Sequence, residues 1–504
     1  MKNSVLVSLV SLVSLVSPVS LAVFACASVL ACSSSNDHPS SQIGGAGTGP
    51  VVSGAGGVAQ PAAGAGGGAA IASGGSTTTV PPGAGGLGTV TSSGGAPGTI
   101  GAGGVSSTSS GGVTSSGGAT SSGGATSSGG AGASGATGTG GAPLAPLVDA
   151  AGCSGAKLAK VPDDASAPGP WPIGVRTVKV TIPQGTVTAE IWYPGKPGSE
   201  AGAPAVTYDL RDWLLDDKKL IPDAENKLVP CNGCARDIPI DDAHGPYPGV
   251  IFIHGTGSLR IANLTTMVTW ASRGFVVVAA DHPSMYLTDF IGCNANKIAQ
   301  DLPRDVTATV AAMTAKSGDF AFLGSSIDMS RIGISGHSQG GGAAASLATQ
   351  PNVQVDIPLA PLAGTAPVSS TLKSTLVAAG QQDTIVTYPS DVSSYGGTNA
   401  PTKRLVGIGG GDHLNVTDLC WEKNDMGKNS IEVGLSHNVC GGAGINILNL
   451  LFKCGTIDPN LSIKIINYVT TAALEETLHC QDRTQLWSNL TKTFTQVTDF
   501  QHAP

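Results

Sequence analysis

The chain has 504 residues, a formal net charge of −8, 72 glycines, 32 prolines, 10 cysteines and only 12% charged residues. A mild acidic excess leaves no electrostatic footprint for phosphate backbones, which argues against nucleic-acid binding, and 4% aromatics give little material for a stacking or carbohydrate platform. The charge is uneven. Between Lys2 and Asp149 the only charged residue is Asp37, so a neutral, Gly-rich half precedes a mildly acidic one that is long enough to bury a large core.

Residues 1–32 read as a secretory signal: Lys2 is a short positive region, an apolar run follows, and small residues close it. The closing Val29-Leu30-Ala31-Cys32 resembles the bacterial lipobox, with Cys26 a weaker second candidate. That resemblance implies lipidation of Cys32 and export to a bacterial membrane, and Ser33 after the cysteine leans towards the outer membrane. Residues 33–146 are a low-complexity Gly/Ser/Ala/Thr tract in which Ser-Ser-Gly-Gly-Ala-Thr recurs, and nothing in it can bury an apolar face. It is expected to be a disordered tether with an r.m.s. reach of about 60 Å.

Eight cysteines then remain: Cys153, Cys231, Cys234, Cys293, Cys420, Cys440, Cys454 and Cys480. An even count in an exported chain favours disulfides, and sequence cannot fix the connectivity. Cys420–Cys440 and Cys454–Cys480 are the neighbour pairs expected. Cys231-x-x-Cys234 has no second pair at zinc-ribbon spacing and no surrounding βαβ unit, so a structural disulfide is the better reading than metal or redox chemistry.

Residues 147–504 read as one domain. Stretches 178–182 and 186–192 alternate as strands about a Pro-Gln-Gly turn. Residues 197–245 are polar and Pro-rich and read as a long surface insertion. Residues 249–253 are apolar on both faces, as a buried parallel strand would be, and end in His254-Gly255-Thr256-Gly257. A helix over 261–273, a strand over 275–280 and a helix over 302–316 follow. Next come a strand over 331–335, a sharp turn and a small-residue helix to 349. Three more strands, 355–359, 375–379 and 403–408, precede a late amphipathic helix over 462–478. Strands alternating with helices imply an α/β fold, a mostly parallel, doubly wound sheet with flanking helices, and place functional residues at the C-terminal strand ends.

Gly336-His337-Ser338-Gln339-Gly340, between a strand and a helix, is the nucleophile-elbow pattern. A serine held in a strained turn needs glycine on both flanks, and the helix start behind it offers N–H groups to a developing oxyanion. A serine hydroxyl needs a base. His413, after the strand 403–408 and three glycines, fits better than His254, His337, His437, His479 or His502. The acid that orients it is expected at Asp383, just past the strand 375–379, because adjacent Asp412 is badly placed to reach the ring. The oxyanion donors expected are the backbone N–H of Gln339 and of Thr256, with Gly255 the alternate to Thr256. No phosphate-binding loop or metal site stands out: Asp241, Asp242 and His244 cluster, and a solvated loop is the better reading. No cofactor is expected.

Four segments together resemble the α/β-hydrolase superfamily: Glu190-Ile191-Trp192-Tyr193-Pro194, Phe252-Ile253-His254-Gly255, Gly336-His337-Ser338-Gln339-Gly340-Gly341 and Gly411-Asp412-His413-Leu414-Asn415. Within it the chain is similar, over roughly residues 170–475, to platelet-activating-factor acetylhydrolases, dienelactone-hydrolase-like proteins and cutinase-like polyesterases. The resemblance implies hydrolysis of a carboxylic ester through an acyl-enzyme by Ser338, His413 and Asp383. The chain departs from it in having Ser338 where dienelactone hydrolases proper have cysteine, in the long insertion, and in the Cys-rich stretch after His413. The partner expected is an ester substrate, lipid, short-chain or polymeric, with the membrane reached through the N-terminal lipid and the protein a monomer. An amidase or peptidase on the same scaffold, and a non-catalytic surface-binding protein, are the alternatives.

Overall fold

The computed structural model describes residues 157–504 apart from Trp421. The signal over 1–32 with Cys32, the tether over 33–146 and Cys153 lie outside the described residues.

In chain order the elements begin with the hairpin β1 (Ile173–Ile182) and β2 (Gly185–Pro194), then β3 (Ala205–Asp209), β4 (Leu228–Arg236), β5 (Tyr247–Ile253) and α1 (Leu264–Ser272). They continue with β6 (Val276–Ala280), α2 (Leu302–Ala315), β7 (Ile327–His337), α3 (Gln339–Leu347), β8 (Val353–Leu359), β9 (Ser374–Gly380), α4 (Tyr388–Gly397) and β10 (Thr402–Ile408). The last are α5 (Ser430–Ser436), α6 (Ala443–Leu451), α7 (Pro459–Leu478), α8 (Thr484–Thr493) and β11 (Val497–Ala503). Among the described residues eleven strands join one sheet in the order β11-β10-β9-β8-β7-β5-β6-β2-β1-β4-β3. From β6 through β5, β7, β8 and β9 to β10 every pairing is parallel.

Period-two alternation sends each central strand into two cores at once. On β5, Val250 and Phe252 face one core while Ile251 and Ile253 face the other. The first core is closed by Met267 and Trp270 of α1, by the Ile465–Leu478 side of α7 and by Trp487 and Leu490 of α8. The second is closed by Val306 and Met313 of α2 and by Ala344 and Leu347 of α3. Helices on both faces explain why these strands read as unbroken apolar runs.

β5 lies between β6 and β7, so the chain leaves it towards opposite sides in turn. Such a reversal marks the C-terminal ends of β5 and β7 as the place where doubly wound sheets hold their chemistry.

The stretch 197–245 is more than a surface loop. It supplies β3 and β4, and β4 pairs in parallel with β1, so it extends the sheet at its edge. Its polar residues are used in a buried network. Glu190, fully buried, accepts from Thr177 Oγ1 at 2.9 Å and Tyr208 Oη at 3.2 Å and pairs with Arg236. Asp281 accepts from Trp213 Nε1 at 2.8 Å and pairs with Arg260, whose guanidinium stacks on Trp213 at 4.5 Å. Asp241 is likewise buried rather than solvated, accepting from Trp171 Nε1 and bonding His244 Nδ1 at 2.7 Å each, and from Tyr247 Oη at 2.8 Å.

The expected disulfide neighbours are corrected. Cys420 pairs with Cys454 and Cys293 with Cys440, while Cys231 pairs with Cys234 as expected. Cys480 is disulfide-bonded as well, to a cysteine other than Cys454. Nearness along the chain misled here: residues 420–454 leave the sheet as a cap carrying α5 and α6, so its two ends meet at its base. Its middle reaches instead to Cys293, on the loop after β6, over a shared apolar cluster of Ile291, Ile431, Val433, Val439 and Ile445.

Candidate active site

β7 ends at His337, and Ser338 turns the chain into α3 at φ 56°, ψ −120°. A non-glycine residue there is strained and is held by its surroundings. Its N–H donates to Leu359 O at 2.9 Å, and its carbonyl accepts from Gly342 N at 3.0 Å and Leu362 N at 2.8 Å. The flanking glycines are obligatory for a steric reason. A Cβ on Gly336 would lie 2.7 Å from Ile253 O, and one on Gly340 would run into the carbonyls of Ile253 and His254. The elbow is thus pressed onto the end of β5.

Three strand ends converge on the hydroxyl. Ser338 Oγ stands 3.0 Å from His413 Nε2, and His413 Nδ1 stands 2.7 Å from Asp383 Oδ2. Residues 75 and 30 positions apart in the chain meet here, and all three are at least nine-tenths buried. Asp383 follows β9, and its Oδ1 accepts from the N–H groups of Ile385 at 2.8 Å and Val386 at 2.7 Å. Those bonds fix the carboxylate, leaving Oδ2 for the imidazole. His413 opens a 3₁₀ turn after β10. This arrangement can move a proton from a hydroxyl to an imidazole that a carboxylate orients.

At the first turn of α3 the N–H of Gln339 has no intrahelical acceptor. Thr256, just beyond β5, donates from Oγ1 to Gln339 Oε1, so the two expected oxyanion donors sit on segments joined side chain to side chain. His337 and His254 are structural. The His337 ring packs 4.7 Å from that of His413 and bonds its carbonyl at 3.1 Å. Burial, then the neighbouring His413, hold its pKa well below the usual histidine value. His254 bonds Gly255 O at 2.7 Å and accepts from His282 N at 3.1 Å, and burial, then His282, lower its pKa to about 4.

Asp412, the alternative acid, does not face the His413 ring. Its carboxylate instead accepts backbone N–H groups of Thr384 and His413, at 2.8 Å each. Asn415, three residues on, completes a capping box, a spacing that was a readable signal. Met285 is packed inside, and its carbonyl accepts from Gly257 N at 2.7 Å. A small apolar pocket, partly open to solvent, lies between the 210–227 stretch and the cap, walled by Leu214, Ile221, Leu259, Leu287 and Ile431. Ser338, Asp383 and His413 do not line it. Among the described residues no cluster of metal-binding side chains occurs.

Residues 243–432 match the family model described as PETase, PET hydrolase-like, a span that contains β5 to β10 and the Ser338, Asp383 and His413 positions. The fold is that of the α/β-hydrolases. The match points to a hydrolase of carboxylic esters or polyesters. No curated protein matches the chain.

Proposed function

We propose that the chain is an exported serine hydrolase that cleaves carboxylic esters through an acyl-enzyme on Ser338. The observation that carries this reading is the continuous bonded chain from Ser338 Oγ through the His413 ring to Asp383. His413 Nε2 takes the hydroxyl proton as Oγ attacks the ester carbonyl carbon. Asp383 holds the Nδ1–H tautomer and stabilises the imidazolium. The N–H groups of Gln339 and Thr256 receive the oxyanion. Collapse of the tetrahedral intermediate breaks the ester C–O bond, and the imidazolium gives its proton to the departing alkoxide. Water, deprotonated by the same imidazole, then attacks the acyl carbon and releases the acid and free Ser338.

Export through residues 1–32, lipid attachment at Cys32 and a tether over 33–146 belong to the same proposal. They rest on the sequence and would present the domain to an external or insoluble ester. The test uses the protein with and without Ser338→Ala, with p-nitrophenyl esters from acetate to palmitate and a fluorophosphonate label. Turnover and labelling in the parent alone support the reading; equal background in both would end it. Incorporation of labelled palmitate by expressing cells, lost in Cys32→Ala, tests the anchor.

A further inference from the structure

We propose that Asp412 is a positioning residue that clamps the loop carrying Asp383 to the loop carrying His413; this rests on the serine-hydrolase reading of the same site. The carboxylate is nine-tenths buried and faces two segments at once. Oδ1 accepts from His413 N at 2.8 Å, from Thr384 N at 2.8 Å and from Thr384 Oγ1 at 3.1 Å, and Oδ2 lies 3.2 Å from the same hydroxyl. Thr384 follows Asp383 directly. The bonds therefore close a ring: Asp383 to Thr384 through the chain, Thr384 to Asp412, Asp412 to the His413 backbone, and the His413 ring back to Asp383 Oδ2.

A helix cap alone does not account for this. The bond to His413 N and the Asn415 box are local to the 3₁₀ turn, whereas the Thr384 bonds span 28 residues and reach a different strand end. Around them the two loops are pressed together. Gln382 N donates to Gly411 O at 2.8 Å and Gln381 N to Ile408 O at 3.0 Å. From the far side Asn415 Oδ1 accepts from Asp412 N at 2.9 Å and Gly455 N at 2.6 Å, so the clamp is also fastened to the base of the cap. Because Asp412 touches neither the serine nor the imidazole ring in these bonds, its contribution is to the separation and angle between acid and base. A misplacement of about 1 Å there can cost about 100-fold in rate.

The experiment compares the parent with Asp412→Asn, Asp412→Ala and Thr384→Val, counting active sites by fluorophosphonate titration and reading kcat per site, KM and thermal midpoint. Asp412→Ala is expected to lower kcat per site about 10- to 100-fold with KM within about twofold. Asp412→Asn, which keeps an acceptor, is expected to stay within about fivefold of the parent. Thr384→Val, which loses only the hydroxyl, is expected to lower kcat severalfold, and it keeps the question open to test should Asp412→Ala not fold. Unchanged kcat per site with only a lowered thermal midpoint would overturn the clamp, as would an Asn variant as slow as the Ala variant. If the parent takes no label, the serine-hydrolase reading itself has failed, which is a separate outcome.

Discussion

Thr256 Oγ1 donates to Gln339 Oε1, joining the loop after β5 to the first residue of α3. The bond ties together the two segments whose backbone N–H groups are proposed to receive the oxyanion, and Gln339 Nε2 continues the contact to Gln300 Oε1 at 3.1 Å. Gln339→Ala keeps both N–H donors and loses only this brace. Its kcat is expected to fall by about tenfold or less, well short of the 10²–10³ that removal of a true oxyanion donor costs. Steady-state kinetics with a short-chain ester checks this; a loss beyond about 10³ would mean that the side chain itself acts on the substrate.

Gly340→Ala is expected to be far more damaging than its size suggests. The new methyl would meet two backbone carbonyls, those of Ile253 and His254, and backbone cannot swing aside as a flexible side chain can. A loss of more than about 3 kcal/mol of stability is expected, measured by denaturant unfolding. By contrast Gly434→Ala meets first the movable Cδ1 tip of Ile445, and the gain in helix propensity on α5 offsets part of that crowding, so it is expected to cost about 1 kcal/mol or less.

Asp391 sets a pH dependence. It is fully buried on α4 with neither carboxylate oxygen hydrogen-bonded, and burial, then the charge of Asp383, raise its pKa to about 8 from 3.8. Between those values the unfolded chain has released this proton and the folded protein retains it, so stability falls as pH rises through the window. Asp391→Asn removes that slope. The stability of the variant relative to the parent is expected to grow from about pH 4 to about pH 8, by at most about 1.4 kcal/mol per pH unit, and to level off above. Buried His254, depressed to about 4 from 6.5, has the opposite sign: its stability contribution is lost as pH falls below 6.5. Taking variant minus parent cancels that second slope. Parallel curves for the two proteins would contradict the assignment.

The cap gives a connectivity prediction. Non-reducing peptide mapping is expected to recover Cys420 with Cys454 and Cys293 with Cys440. The Cys420–Cys454 bond closes a loop with a sequence separation of 34. Opening it in the double variant Cys420→Ser, Cys454→Ser is expected to cost about 3–4 kcal/mol in the chain-entropy picture, read as a lowered thermal midpoint.

The central sheet and the glycine-flanked turn at Ser338 were legible because each rests on a local signal. The run at 249–253 announced a strand buried on both faces, and Gly336 and Gly340 marked a turn with no room for side chains. What escaped depended on partners far along the chain. Residues 197–245 look polar, yet Tyr208, Trp213 and Arg236 within them are bonded to Glu190 and Asp281, which the sequence does not reveal as buried acids. Asp412 was legible as an acid beside the histidine but not as a bond to Thr384. Cys440 lies 20 residues from Cys420 but bonds Cys293, because the path of the cap and not chain distance decides which sulfurs meet.

Acylation of Ser338 is tested most directly by pre-steady-state kinetics with a p-nitrophenyl ester in excess, followed by mass analysis of the quenched protein. An acyl group on the peptide containing Ser338 is expected, with a burst of p-nitrophenol where deacylation is the slower step, both lost in Ser338→Ala with kcat down by about 10⁴-fold or more. An acyl group on another residue, or a Ser338→Ala variant as active as the parent, would contradict it.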